Sequence, residues 1–357
     1  MMTKPSARSQ YKRYIGWKLF ILIASAVSIP ILLFLSISLG VVRIPICELF
    51  AILTGRDSGD GAAQIIWQSR LPQALIALLA GSGLSITGTA MQAVLRNPLS
   101  SPFTLGISSA AAFGAACVVV LGGGRIAALD HTITKFGLPY GSIAIGAFVS
   151  SLVATGLILF LAGLRHIKTE TILLTGVALS AFYGAGIMLL QYIAEEQQLA
   201  AMVYWTFGDT QRGTWPVIAF LAVVVPLFAM WFCRQGWNYN AILHGEETAR
   251  GLGVSVRRVR GLTMVFGALL TSTLVATLGV IGFVGLVVPH LARLAIGSDN
   301  RYVLPLSFFL GGGILLISDT AARILLMPRM MPVSILTAFI GAPIFLFMLL
   351  KRSTTSC

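Results

Sequence analysis

In a chain of 357 residues that is 57% hydrophobic and 10% charged, charged side chains are too scarce for a soluble globular domain, where they usually make up about a quarter. The composition is that of a polytopic membrane protein. The formal charge of +13 does not point to nucleic acid, because the bases gather into no patch with interleaved aromatics. The four cysteines, Cys47, Cys117, Cys233 and Cys357, lie far apart and offer neither a CxxC nor a metal-ligand spacing.

The N-terminal arm, residues 1–18, is basic and precedes an uncharged run that begins at Leu19. That run is too long for the apolar core of a signal peptide and is expected to remain as a first span. Further uncharged runs occupy 71–95, 97–124, 136–164, 171–194, 213–233, 261–292, 302–318 and 330–350. The run from Leu71 to Leu95 is long enough to cross a hydrocarbon layer of ~30 Å. It breaks at Arg96-Asn97-Pro98 and again at Pro102. Such a break is either a simple loop or backbone that leaves the helix at membrane depth, where it must be buried in protein or line a wet cavity.

The run 261–292 exceeds one span and contains Gly279, Gly282, Gly285 and Pro289. Breaking it near Gly279–Gly282 gives ten spans in place of nine. Ten spans with the N-terminus inside put more of the 25 Lys and Arg residues on the cytoplasmic side than nine do, as the positive-inside rule requires. Both termini are then expected in the cytoplasm.

The one large cytoplasmic connection, residues 234–260, reads RQGWNYNAILHGEETARGLGVSVRRVR. Short helical pieces at Ala241–Leu243 and Ala249–Leu252 flank Gly245. Leu and Ala amid charge suit a surface that meets a soluble partner, and a solvated loop is the plainer alternative. On the outer side, 195–212 is expected to hold a short interfacial helix, with Trp205 and Phe207 at headgroup level.

No GxxxxGK[ST] occurs, so this chain cannot cradle ATP phosphates in a P-loop. It also lacks HExxH and a nucleophile elbow, and no enzymatic activity is expected of it. Ionisable residues inside the spans are few: His290, Asp319 and Arg323. That scarcity argues against a proton- or sodium-coupled carrier, where such groups mark the ion path. Asp319 and Arg323 stand four apart on one helix face and can pair with each other. Two polar or small stripes share helix faces: Ser180, Gly184, Ile187 and Gln191 in the fifth span, and Ser334, Thr337, Gly341 and Phe345 in the tenth. Each is either a packing face or the wall of a path.

Several separate segments carry a resemblance. RLPQALIALLAGSGLSITGTAMQAVLRNPLSSPFTLGISSAAAFGAA from Arg70, LLTGVALSAF at 173–182, LHGEETARGLGV at 243–254, GVIGFVGLVVPHLARL at 279–294, ISDTAARIL at 317–325 and PVSILTAFIGAPIFLFML at 332–349 together resemble the FecCD permeases. The resemblance implies an all-α polytopic membrane protein of ten transmembrane helices with the BtuC-like, type II ABC importer permease fold. Residues 1–357 would form a single permease domain in the inner membrane. It implies as partners a second copy of the chain, two ATPase subunits, a substrate-binding protein and the membrane lipid. The cargo would be a ferric siderophore or a similar chelate, with haem and cobalamin as alternatives. ATP and Mg would sit on the ATPase, leaving no cofactor on this chain. An ATP-independent secondary transporter is the rival reading.

The resemblance also implies residue roles. Gly245, Glu246, Ala249, Leu252 and Gly253 match the segment that docks into the ATPase. Arg70 and Arg323 match outward arginines that meet acidic residues of the binding protein. Gln73 stands where a second arginine is usual, and Arg329 is a possible substitute. Asn97, Thr169 and Glu170 align with the cytoplasmic gate. Glu170, Met331 and Ser334 depart from the common pattern. The fifth and tenth helices line the path in similar proteins, so the two stripes become candidate path residues.

Overall fold

The computed structural model describes residues 7–40, 42, 44–55, 61–122, 141–163, 169–327 and 329–354, with the side chains of Thr169 and Glu170 outside that description. The architecture is organised around α4 (Leu71–Val94), which is buried on every side along most of its length. Helix α1 (Ala7–Ser38), α2 (Ile46–Leu53) and α3 (Gly61–Ile65) precede it, and a π-turn at Ile66–Arg70 leads into it. After α4 come α5 (Ile107–Leu121), α6 (Gly141–Gly163), α7 (Thr169–Ile193), α8 (Glu196–Thr206) and α9 (Trp215–Arg234). The chain then makes α10 (Gly236–Leu243), α11 (Glu246–Gly251), α12 (Val256–Leu278), α13 (Val284–Ile296), α14 (Asn300–Leu325) and α15 (Val333–Thr354).

Among the described residues, seven helical segments are long and apolar enough to cross a membrane: Arg13–Ser38, Gly61–Val94, Gly141–Leu161, Thr171–Ile193, Trp215–Arg234, Val256–Leu278 and Asn300–Leu325. Ile107–Leu121, Val284–Ile296 and Val333–Phe347 are apolar and shorter. Seven of the expected spans therefore carry a helix of spanning length, and the other three coincide in sequence with the shorter apolar helices. Among the described residues no β-strand forms; a single parallel bridge joins Phe207 and Val280.

α4 is the hub because small residues let its neighbours close on it. At Gly88 a Cβ would run into the carbonyl oxygen of Gly285 in α13, so the two backbones touch and neither position has room for a side chain. Its flanks are covered by α9, α12, α13 and α14, which bury Ile76, Ile86, Met91 and Val94 against Leu221, Leu270, Leu274 and Leu315.

The chain leaves the helix where Gly and Pro said it would. Between α4 and α5, residues 95–106 are held by Asn97 Oδ1, which accepts from the Leu99 amide at 2.8 Å, and by Thr104 Oγ1, which donates to the Leu99 carbonyl at 2.9 Å. Between α12 and α13 the backbone turns through left-handed conformations at Gly279 (φ 82°) and Phe283 (φ 66°). Its polar groups are taken up by protein: the Asp209 amide donates to Leu278 O at 2.9 Å beside the Phe207–Val280 bridge. That is the condition for irregular backbone at membrane depth.

The expected short helix is α8, capped reciprocally by Glu195 and Gln198. Trp205 is not at its surface. It is buried against Val275 and Ala276, while Tyr204 is exposed.

Candidate functional site

The end of the bundle that carries the α4 C-terminus, α10, α11 and the α13–α14 turn holds Arg96, Arg234, Arg250, Arg257, Arg258, Arg260, Arg293 and Arg301. On this basic end two short helices form a platform. Gly245 (φ 121°) and Gly253 (φ 82°) bound α11 in backbone conformations that L side chains rarely adopt, so glycine there fixes the turns. Ala249 is fully buried and anchors α11, which excludes it as a surface contact. Leu252 is 69% exposed and presents a large apolar side chain amid charge.

α10 is fixed underneath. Tyr239 is buried with its hydroxyl 2.9 Å from Thr263 Oγ1. Asn240 donates to Asp299 Oδ1 at 2.7 Å and accepts from the Asn300 amide at 2.8 Å. Arg301 closes on Asp299 at 2.6 Å and lies over the Trp237 ring at 4.1 Å. Burial alone would raise the Asp299 carboxyl, but the bonds from Arg301 and Asn240 outweigh it and carry it down to about 2.

Glu246, in the first turn of α11, lies 2.5 Å from Arg260 Nη2 and 3.5 Å from Arg250 Nη2. The Arg260 hydrogen bond holds its carboxyl below the usual range against partial burial, helped by the charges of Arg260, Arg250 and Arg96. Two clefts flank Leu243. One, of about 350 Å³, is lined by Gln92, Arg96, Asn97, His290 and Arg293, and the other, of about 390 Å³, by Asn240, His244, Ser298 and Asp299. Arg293 donates to Gln92 Oε1 at 2.5 Å. Among the described residues no cluster of His, Cys, Asp and Glu is suited to a metal ion.

The expected site residues therefore separate. Gly245, Glu246, Leu252 and Gly253 come together on one platform, with Ala249 beneath it. Asn97 is half-buried in the α4–α5 loop. The side chains of Thr169 and Glu170, expected at the gate with it, lie outside the described residues.

Arg70 and Arg323 do not reach outward in this chain; they are 6% and 4% exposed. Arg70 Nη1 donates to Ile37 O at 2.8 Å and to Ser38 O at 3.3 Å, and Nη2 donates to Val42 O. It thus serves the carbonyls that a helix C-terminus leaves without partners. Arg323 Nη2 donates to Ser36 Oγ at 2.6 Å, and its Nε lies 3.3 Å from Asp319 Oδ2. Asp319 Oδ1 accepts from Gln73 Nε2 at 2.9 Å and from Thr210 Oγ1. Gln73, the departure from pattern, is a neutral donor inside this cluster. Arg329 is exposed, whereas Met331 at the start of the tenth segment is half-buried.

The two stripes are partly covered by the chain itself. Ser180 Oγ donates to Gly176 O at 2.9 Å, Ile187 packs between α5 and α8, and Gln191 borders a crevice with Met202 and Trp205. Gly184 alone faces open space. On α15 the Ser334 amide donates to Gly208 O, Thr337 is buried, Gly341 is closed by the Phe283 ring, and Phe345 is half-buried. The faces left open are apolar: Val177, Phe182, Met188 and Tyr192 on α7, and Phe339, Leu346 and Phe347 on α15. Helical spacing identifies residues that share a face, but apolar residues turned to lipid look the same in sequence as those turned to a neighbour.

An array of apolar helices round a buried hub, with two helix breaks and a helical platform on the basic end, is the architecture of a transporter's membrane subunit. The chain belongs to the FecCD transport family, whose model matches residues 28–351. It is 42% identical over 343 residues to an ABC transporter permease protein of Methanocaldococcus jannaschii, covering 96% of this chain and 97% of that one. It is 35% identical over 307 residues to the hemin transport system permease protein HmuU of Yersinia pestis (85% and 88% covered). It is also 35% identical over 298 residues to the vitamin B12 import system permease protein BtuC of Serratia proteamaculans (82% and 84%). Among solved structures, a metal-chelate type ABC transporter in an inward-facing conformation superposes with a TM-score of 0.78 at 29% identity, covering 93% of this chain and 99% of that one.

Proposed function

We propose that this chain is the ten-span permease of an ABC importer that carries a bulky metal chelate, first of all a ferric siderophore, from a binding protein into the cytoplasm. Two copies form the path between them, and an ATPase subunit, holding ATP and Mg, docks on each basic end. Both termini lie in the cytoplasm and the protein is multi-pass in the inner membrane. ATP-driven closure of the ATPase pair moves the platforms and turns the cavity from one side to the other.

The observation that carries this reading is the platform: Leu252 exposed and Glu246 half-exposed on a helix whose other side is anchored by Ala249. An exposed apolar side chain amid charge, on a short helix anchored from beneath, suits a protein contact. The arginine role in docking the binding protein passes to Arg329, since Arg70 and Arg323 are engaged inside. The open apolar faces of α7 and α15 meet lipid or the second copy.

Haem or cobalamin as cargo is the second reading, favoured by the names of the Yersinia pestis and Serratia proteamaculans relatives. Purification of Leu252→Glu and Glu246→Lys variants tests the platform. Folded permease that no longer retains its ATPase agrees with the proposal, and undiminished retention and uptake contradict it.

A further inference from the structure

One side chain bridges the platform and the nearer helix break. Arg260, near the start of α12, reaches Glu246 Oε1 with Nη2 at 2.5 Å. Its Nε donates to the carbonyl of Val94 at 3.5 Å. Val94 is the last residue of α4, where carbonyls have outrun their helical donors. The side chain is 18% exposed, so protein holds it on most sides.

Two residues past Val94, Arg96 sits at φ 50°, one of two non-glycine residues with positive φ among those described. A non-glycine residue there is held by its surroundings at some cost, and such positions cluster at switches. Arg96 lies within electrostatic range of Glu246, and Asn97 follows it. The far side of α4 touches α13 at Gly88 and Gly285, just beyond the second break.

We propose that Arg260 is the positioning residue that transmits movement of α11 to the α4–α5 break, by gripping Glu246 at one end and the Val94 carbonyl at the other. This rests on the reading of α11 as the ATPase dock. A guanidinium suits the task because its fixed planar fork serves two acceptors in different directions, which a lysine ammonium on a flexible stem does not. A shift of α11 then draws on the end of the hub helix, and the strained residue Arg96 is the place where the chain gives.

The test uses full-length permease assembled with its ATPase and binding protein in proteoliposomes, comparing wild type with Arg260→Gln and Arg260→Lys. Hydrogen–deuterium exchange over 95–106 and over 245–253 is read with and without ATP, alongside ATP hydrolysis and uptake of a ferric siderophore. In the wild type, ATP is expected to alter exchange in both segments. In both variants 245–253 still responds and ATP is still hydrolysed, while the response of 95–106 disappears and uptake per ATP falls roughly tenfold, the scale of a coupling between sites. Arg260→Lys keeps the charge and so separates loss of the fork from loss of fold. A wild-type response of 95–106 in both variants overturns the inference and leaves the dock intact. Wild-type permease that fails to bind the ATPase overturns the dock reading, and the inference with it.

Discussion

Asp319 shows how much one buried carboxylate organises. It gathers Gln73 from α4, Thr210 from the turn before α9 and Arg323 from its own helix, and Arg323 extends the cluster to Ser36 of α1. The Asp319–Arg323 pair is visible in the sequence, because residues four apart on a helix face one another. The Gln73 contact is not, since 246 positions separate it from Asp319 and nothing local connects them. Breaking a buried ion pair strands the remaining charge, a loss of about 3–5 kcal/mol. Asp319→Ala is therefore expected to lower the thermal midpoint of the detergent-solubilised protein sharply. Asp319→Leu combined with Arg323→Met is expected to recover most of that loss.

At the basic end the titration of Asp299 makes a second residue-scale prediction. Its carboxyl is carried from 3.8 to about 2 by Arg301 and Asn240, so the folded state binds its proton less readily than the unfolded chain does. The contribution is present in full above the ordinary carboxylate range and is lost as pH falls from about 4 toward 2. Amide exchange in α10 is expected to be level in relative protection between pH 7 and 5 and to rise, after correction for intrinsic rates, below about 4. Asp299→Asn should flatten that dependence, and a curve identical to wild type would show that Asp299 does not hold α10.

Among the elements, the two breaks were legible because Gly and Pro clusters are local signals. What fills the space beside them was not. Gly279 and Phe283 turn the chain, but the partners that meet the backbone of Leu278 and Val280 beside them are Asp209 and Phe207 from another part of the sequence. Similarly, the stripes at 180–191 and 334–345 were legible as shared faces, while their direction depended on α5, α8 and Phe283. The Gly88–Gly285 crossing sets the closest approach on the hub. Gly88→Val is expected to destabilise the fold by about 1–3 kcal/mol through overpacking, or to prevent accumulation in the membrane. A variant as stable as wild type would mean that α13 can move off α4 freely.

For the whole molecule, scarce charge and long apolar runs suffice to establish a polytopic helical protein, and separated motifs suffice for the family. Docking geometry needed the structure. Burial removes Arg70, Arg323 and Ala249 from the surface, and only the fold shows it. At the basic end Leu252 is exposed and Glu246 of the same platform half-exposed, and the central claim is that an ATPase engages them to drive import. The measurement that bears on it most directly is ATP hydrolysis by the permease–ATPase complex in proteoliposomes, with binding protein presented empty or loaded with a ferric siderophore, haem or cobalamin. The account predicts that one loaded form stimulates hydrolysis and that Leu252→Glu abolishes the stimulation. A permease that binds no ATPase, and still moves its solute down an ion gradient, would contradict it.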